Sequence, residues 1–172
     1  MMGATTRSWP LSSILLAAAG ATLVVAGLYF ILVRPPLLPE DVRYMALPAA
    51  DFDAIRPRLE LWLGHVFQVM GGYVLATGVL TITLAATSFR SHHWAAAIGA
   101  LIGGAVSMGW MAYVNFAINS DFKWVLLGMA LLWACSLILF WIEKRAELND
   151  RKLSQPVPKS ADTNRSSKRL RS

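Results

Sequence analysis

Four stretches of the chain carry no Asp, Glu, Lys or Arg: residues 10–33, 61–89, 94–118 and 124–142. Each is long enough to cross the hydrocarbon core of a bilayer, which takes about 20 apolar residues. Backbone amides in lipid must be satisfied within the segment, so stretches of this kind are predicted to be transmembrane helices. The composition agrees, since 56% of residues are hydrophobic and 15% are charged, whereas a soluble domain carries about a quarter charged residues. The fold class expected is all-α: a polytopic membrane protein built as a four-transmembrane-helix, up-and-down bundle.

The first stretch follows Arg7 and contains Ala17-Ala18-Ala19, so it has some features of a secretory signal. A signal's apolar region spans roughly 7–15 residues and ends at its cleavage site. Here the run continues to Val33, which predicts a retained helix. Cys135 is the only cysteine and lies inside the fourth stretch. Intramolecular disulfides are therefore excluded, and a packing role is expected for it.

Lys and Arg near span ends set orientation. Arg7, Arg90 and nine basic residues after the fourth span (Lys144, Arg145, Arg151, Lys152, Lys159, Arg165, Lys168, Arg169 and Arg171) fall on one side, eleven in all. The other side has five: Arg34, Arg43, Arg56, Arg58 and Lys123. Both termini are predicted to be cytoplasmic. The transmembrane domain is assigned to residues 1–146 and a disordered cytoplasmic tail to 147–172, because from about Asn149 the sequence is polar and aperiodic. Four basic residues between Arg165 and Arg171 would attract anionic lipid headgroups, or would simply enforce topology.

The long connection, residues 34–60, is expected outside. Arg34-Pro35-Pro36 stops the first helix, because proline cannot donate and restricts its predecessor. Leu38-Pro39-Glu40-Asp41 then predicts a short helix through about Ala46, with proline and acids in its first turn. Asp51 or Asp53 is expected to cap a second short stretch, with Pro57 tolerated near its start or marking a kink. Trp9, Trp62, Trp94, Phe122, Trp124, Phe140 and Trp141 lie at span ends, where interface anchors belong.

Helices in lipid pack through small residues. Span three repeats Ala95, Gly99, Gly103 and Ser107 every four residues, with Ala96, Ala100 and Gly104 on the adjoining strip, and the first set is the predicted packing seam. Gly71, Gly72 and Gly78 in span two, and Gly20 and Gly27 in span one, are further close-approach positions. Packing within the chain is the first expectation and a homodimer the second.

Polar residues inside spans are the default place to look for function. His65 and Gln68 share a face at the outer end of span two, with Glu60 at its entry, and Asn115, Asn119 and Asp121 end span three. These six are the candidate polar site. They would either line a small pocket or hold the 34–60 connection by hydrogen bonds.

Other chemistry finds little support. His92 and His93 lie 27 residues beyond His65, roughly 40 Å along a helix, so no single haem joins them; ligation through one histidine remains open. They resemble a headgroup-level turn beside Arg90 and Trp94. One cysteine and two separated histidine sites do not make a zinc centre, and phosphate loops, nucleophile elbows and HExxH are absent. The glycine-rich stretch Gly99–Gly109 lies in a predicted span, so it is no nucleotide fingerprint. No cofactor, nucleic acid or enzymatic activity is expected. Thr77, Thr81 and Thr83 are expected to bond their own helix backbone.

Arg34-Pro35-Pro36, Leu38-Pro39-Glu40-Asp41, Arg43-Tyr44, Gly71-Gly72 and Gly78 together resemble a group of uncharacterised bacterial four-helix integral membrane proteins, of the domain-of-unknown-function kind, over residues 10–145. The resemblance implies a bacterial inner-membrane location and carries no activity with it. The functional expectation is an accessory or interaction subunit, or a small sensor using its outer connection, with a membrane protein or a second copy as partner. The alternative is an oligomeric small-solute transporter or channel around His65 and Gln68.

Overall fold

Prolines bracket the first span, and the helix forms between them. In a computed structural model that describes residues 9–46 and 48–154, α1 covers Leu11–Leu32, starting after Pro10 and stopping just before Arg34-Pro35-Pro36. The short helix α2 covers Pro39–Met45. Its start is fixed by the Leu38 amide, which donates to the Asp41 carboxylate at 2.9 Å, and Ala46 ends it in the left-handed region at φ 49°.

Helix α3 covers Ala49–Leu84 and continues through a π-helical turn, Ala85–Phe89. The second helical stretch expected to lead into span two is present and continuous with it. Pro48 occupies the N-cap and Asp51 the first turn, so neither Asp51 nor Asp53 caps, and Pro57 sits inside the helix. From Ala50 to Phe89 this helix is 40 residues long, about 60 Å at 1.5 Å per residue. A hydrocarbon core is about 30 Å thick, so its charged first turns stand outside the core. Helix α4 covers Trp94–Ala117, with a π-helical turn at Ala105–Gly109. Helix α5 covers Lys123–Leu153.

Residues 147–153, assigned from sequence to the tail, are helical. Charged residues propagate this helix beyond the apolar stretch, and Arg151 pairs with Glu147 one turn away at 2.5 Å. Arg7 and the basic run Arg165–Arg171 lie outside the described residues.

The chain is therefore an all-α, multi-pass membrane protein with four helices long and apolar enough to span. Among the described residues there is no strand. The helices do not close into a ring. Helix α1 is the inner member, packed along α3 on one side and α5 on the other, and α4 leans on α5. Helices α3 and α4, though consecutive, barely touch. Only 17% of the most apolar window of α3 is buried, less than in any other span, which makes it the peripheral helix.

Why α1 and α3 pack so closely is visible in their glycines. A Cβ added at Gly27 would lie 2.5 Å from the Leu75 nitrogen and 2.8 Å from the Gly71 carbonyl oxygen. One added at Gly78 would lie 2.7 Å from both the Gly20 carbonyl oxygen and the Val24 nitrogen. The obstacles are backbone atoms, which cannot swing aside. Gly27→Val is accordingly expected to destabilise the protein by about 3 kcal/mol through overpacking, read by denaturation in mixed micelles. Gly72→Val, where a Cβ meets open space, should leave the unfolding midpoint within about 0.5 kcal/mol of wild type.

The core has two parts. Toward the end that carries the start of α1 and the close of α5, here the tail end, Leu16, Ala85, Phe89, Ala97 and Phe140 pack together. Nearer mid-span, Ala19, Leu23, Met108 and Met129 form a second cluster. Phe140, expected to be an interface anchor, is 1% exposed and stacks 4.6 Å from Phe89. Cys135, expected to pack, is exposed on α5.

Candidate functional site

The predicted packing seam faces the wrong way for packing within the chain. Gly99 and Gly103 are exposed and a Cβ on either would meet nothing within 4 Å; Ala95 is also exposed and Ser107 half-buried. The neighbouring strip does the packing instead. Ala96, Ala100 and Gly104 are buried, and the indole N–H of Trp133 on α5 donates to the Ala100 carbonyl at 2.8 Å. A 100° step around the helix separates the two strips. Sequence spacing alone marks both as candidates, and the position of Trp133 selects one.

Because α3 and α4 stand apart, an apolar groove of about 220 Å³ opens between them. Thr77, Leu80 and Thr81 of α3 form one wall, Gly99 and Gly103 of α4 the other, and Leu16 and Trp133 the floor. Its hydroxyls are occupied as expected: Thr77 donates to the Tyr73 carbonyl and Thr81 to the Thr77 carbonyl, each at 2.8 Å. The groove therefore offers shape rather than polar chemistry.

The six candidate polar residues do not converge, for the same reason. His65 is exposed and its Nδ1 lies 2.7 Å from the Leu61 carbonyl on its own helix. Gln68 is exposed as well. Glu60 accepts from Arg56 one turn earlier at 2.8 Å. The Asn115 amide donates to the Met111 carbonyl at 2.8 Å, and Asn119, left-handed at φ 53°, accepts from the Lys123 ammonium. Asp121 alone reaches another element, pairing with Arg43 of α2 at 3.2 Å. Of the two expected arrangements, this contact belongs to the one in which the connection is held down.

Two further contacts hold α2. Glu40, 5% exposed, accepts from the Ser120 hydroxyl at 3.4 Å. Arg34 pairs with Asp41 at 3.2 Å, with its guanidinium 3.5 Å above the Phe67 ring. The connection that carries α2 is thus tied to α3 and to the α4–α5 turn at once.

A second polar cluster, at the tail end, was not foreseen. The α3–α4 turn places His92 in the left-handed region at φ 53°, where glycine is the usual occupant. A non-glycine residue there loses about 1–2 kcal/mol, so its side chain must be held. The ring is 7% exposed, 5.2 Å from Phe140, with Nε2 3.3 Å from Glu143 Oε2 and Nδ1 3.6 Å from Glu147 Oε2. The second distance exceeds a hydrogen bond, and Nδ1 is buried without a partner. Lys144 donates to the His92 carbonyl at 3.0 Å. Glu143 also accepts from the Ser12 amide at 3.2 Å and from the Ser12 hydroxyl.

Glu143 therefore caps α1 from another helix. Pro10 offers α1 no side-chain cap, and the first amides of a helix need an external acceptor. A carboxylate suits the positive end of the helix dipole. In sequence, Glu143 is the first charged residue after the fourth stretch, and Glu147 four positions on is the one local sign of a shared acidic face.

Among the described residues, no group of three or more His, Cys, Asp or Glu could hold a metal ion. No protein-family model, curated protein or solved structure matches the chain.

Proposed function

We propose that this is a non-enzymatic accessory subunit of a bacterial inner membrane, with both termini cytoplasmic, whose work is to associate with another membrane protein. The observation that carries the reading is the open side of the bundle: Ala95, Gly99 and Gly103 exposed along α4, beside the groove against α3. Small residues let a helix backbone approach closely, and exposed ones in lipid gain most from a partner helix. The excess of Lys and Arg on the tail side supports the orientation. The tied-down outer connection supports a rigid surface for a partner or for sensing.

Purification in mild detergent with mass measurement of the intact assembly tests this. A stoichiometric foreign subunit is expected, lost in the Gly99→Leu, Gly103→Leu double variant while helicity is kept and the unfolding midpoint does not fall. A homo-oligomer without a foreign subunit would instead support the transporter or channel reading. That reading draws on His65 and Gln68, which share an exposed face of α3 where a second copy could enclose them.

A further inference from the structure

The α3–α4 turn has two sides, and only one of them is acidic. Its inward side carries His92 against Glu143 and Glu147. Its outward side forms an open, shallow cavity of about 480 Å³, lined by Ala86, Thr87, Ser88, Arg90, Ser91 and His93, with no carboxylate among them. The cavity exists because of the local backbone. The π-helical turn Ala85–Phe89 widens the end of α3, and the left-handed His92 then reverses the chain so that residues 90–93 face the last turn. Such π turns recur at functional positions.

Position and chemistry together identify a ligand. Phe89 ends a charge-free stretch and Arg90 is the first charge beyond it, which puts the cavity at headgroup depth. The Arg90 guanidinium lies 4.8 Å from the Trp9 ring, an amphipathic residue suited to that depth. A planar guanidinium matches two phosphate oxygens at once, and the hydroxyl of Ser88 and the imidazole of His93 are further donors. Two hydroxyls of the lining are already committed, Thr87 to the Thr83 carbonyl at 2.7 Å and Ser91 to the Thr87 carbonyl at 3.4 Å.

We propose that this cavity binds the phosphodiester headgroup of an anionic phospholipid, independently of the basic tail. The test is lipid retention by the purified full-length protein, measured by intact-mass spectrometry with equal phosphatidylglycerol and phosphatidylcholine, and with inorganic phosphate in a separate arm. Phosphatidylglycerol should be retained preferentially, and Arg90→Gln should weaken its binding about fivefold, the effect of one basic residue near a charged surface. Phosphate alone should not compete. His93→Gln, at an exposed position, serves as the second variant should Arg90→Gln not fold, and should also weaken binding. Equal retention of the two lipids, wild-type retention in a folded variant, or competition by inorganic phosphate would each overturn the proposal.

Discussion

Gly104→Ala is expected to destabilise the protein by about 2–4 kcal/mol, combining overpacking of about 1–3 with an interhelical hydrogen bond of about 1. The added methyl would fall on the indole of Trp133. That ring cannot yield slightly, because its N–H is fixed on the Ala100 carbonyl at 2.8 Å and its other face packs into the mid-span cluster. Displacing it opens the α4–α5 contact, the main attachment of α4 to the bundle. The neighbouring Gly103→Ala should do the reverse, since its Cβ meets open space and alanine favours a helix over glycine by about 0.5–1 kcal/mol. Two adjacent glycines thus give opposite signs in the same denaturation assay. Trp133→Leu supplies the check on cause: with the indole removed, Gly104→Ala should lose most of its effect. If the double variant is as unstable as the sum of the singles, the clash is not the mechanism.

Glu143→Ala should lower stability by about 2–3 kcal/mol, the scale for losing hydrogen bonds to a charged, half-buried carboxylate. Three elements depend on this carboxylate: the first turn of α1 through Ser12, the α3–α4 turn through His92, and α5 itself. Loss of the carboxylate leaves the Ser12 amide without an acceptor and the His92 ring without its nearest carboxylate. His92→Ala removes one of those dependencies only and should have the smaller effect. Because they share one contact, the two substitutions should be non-additive by about 0.5–3 kcal/mol in a double-mutant cycle. Additive losses would mean that Glu143 acts through Ser12 alone.

The failure of the six-residue polar site has a definite origin. His65 and Asn115 meet only where consecutive spans of an up-and-down bundle pack side by side. The glycines of α1 and α3 override that tendency, since Gly20, Gly27, Gly71 and Gly78 bring α1 against α3 more closely than any other pair. Helix α3 is drawn to α1, and α4 is held by Trp133 to α5. The polar ends of α3 and α4 then have separate neighbours: Glu60, His65 and Asn115 bond within their own helices, Asn119 bonds Lys123 at the start of α5, and Asp121 pairs with α2.

The number of spans is legible in the four charge-free stretches, because hydrocarbon thickness is a length constraint that composition answers directly. The sequence by itself also determined where α1 stops and α2 begins, through the prolines and Asp41, since caps and proline act within a few residues. Tertiary structure decided which strip of α4 packs, which helix lies inside, and that Glu143 of α5 meets Ser12 and His92 across 131 and 51 positions of chain. Periodicity gives the face of a helix only when one face differs from the rest. In lipid both packed and exposed faces are apolar, so the choice falls to single contacts such as Trp133 on Gly104, which no local pattern contains.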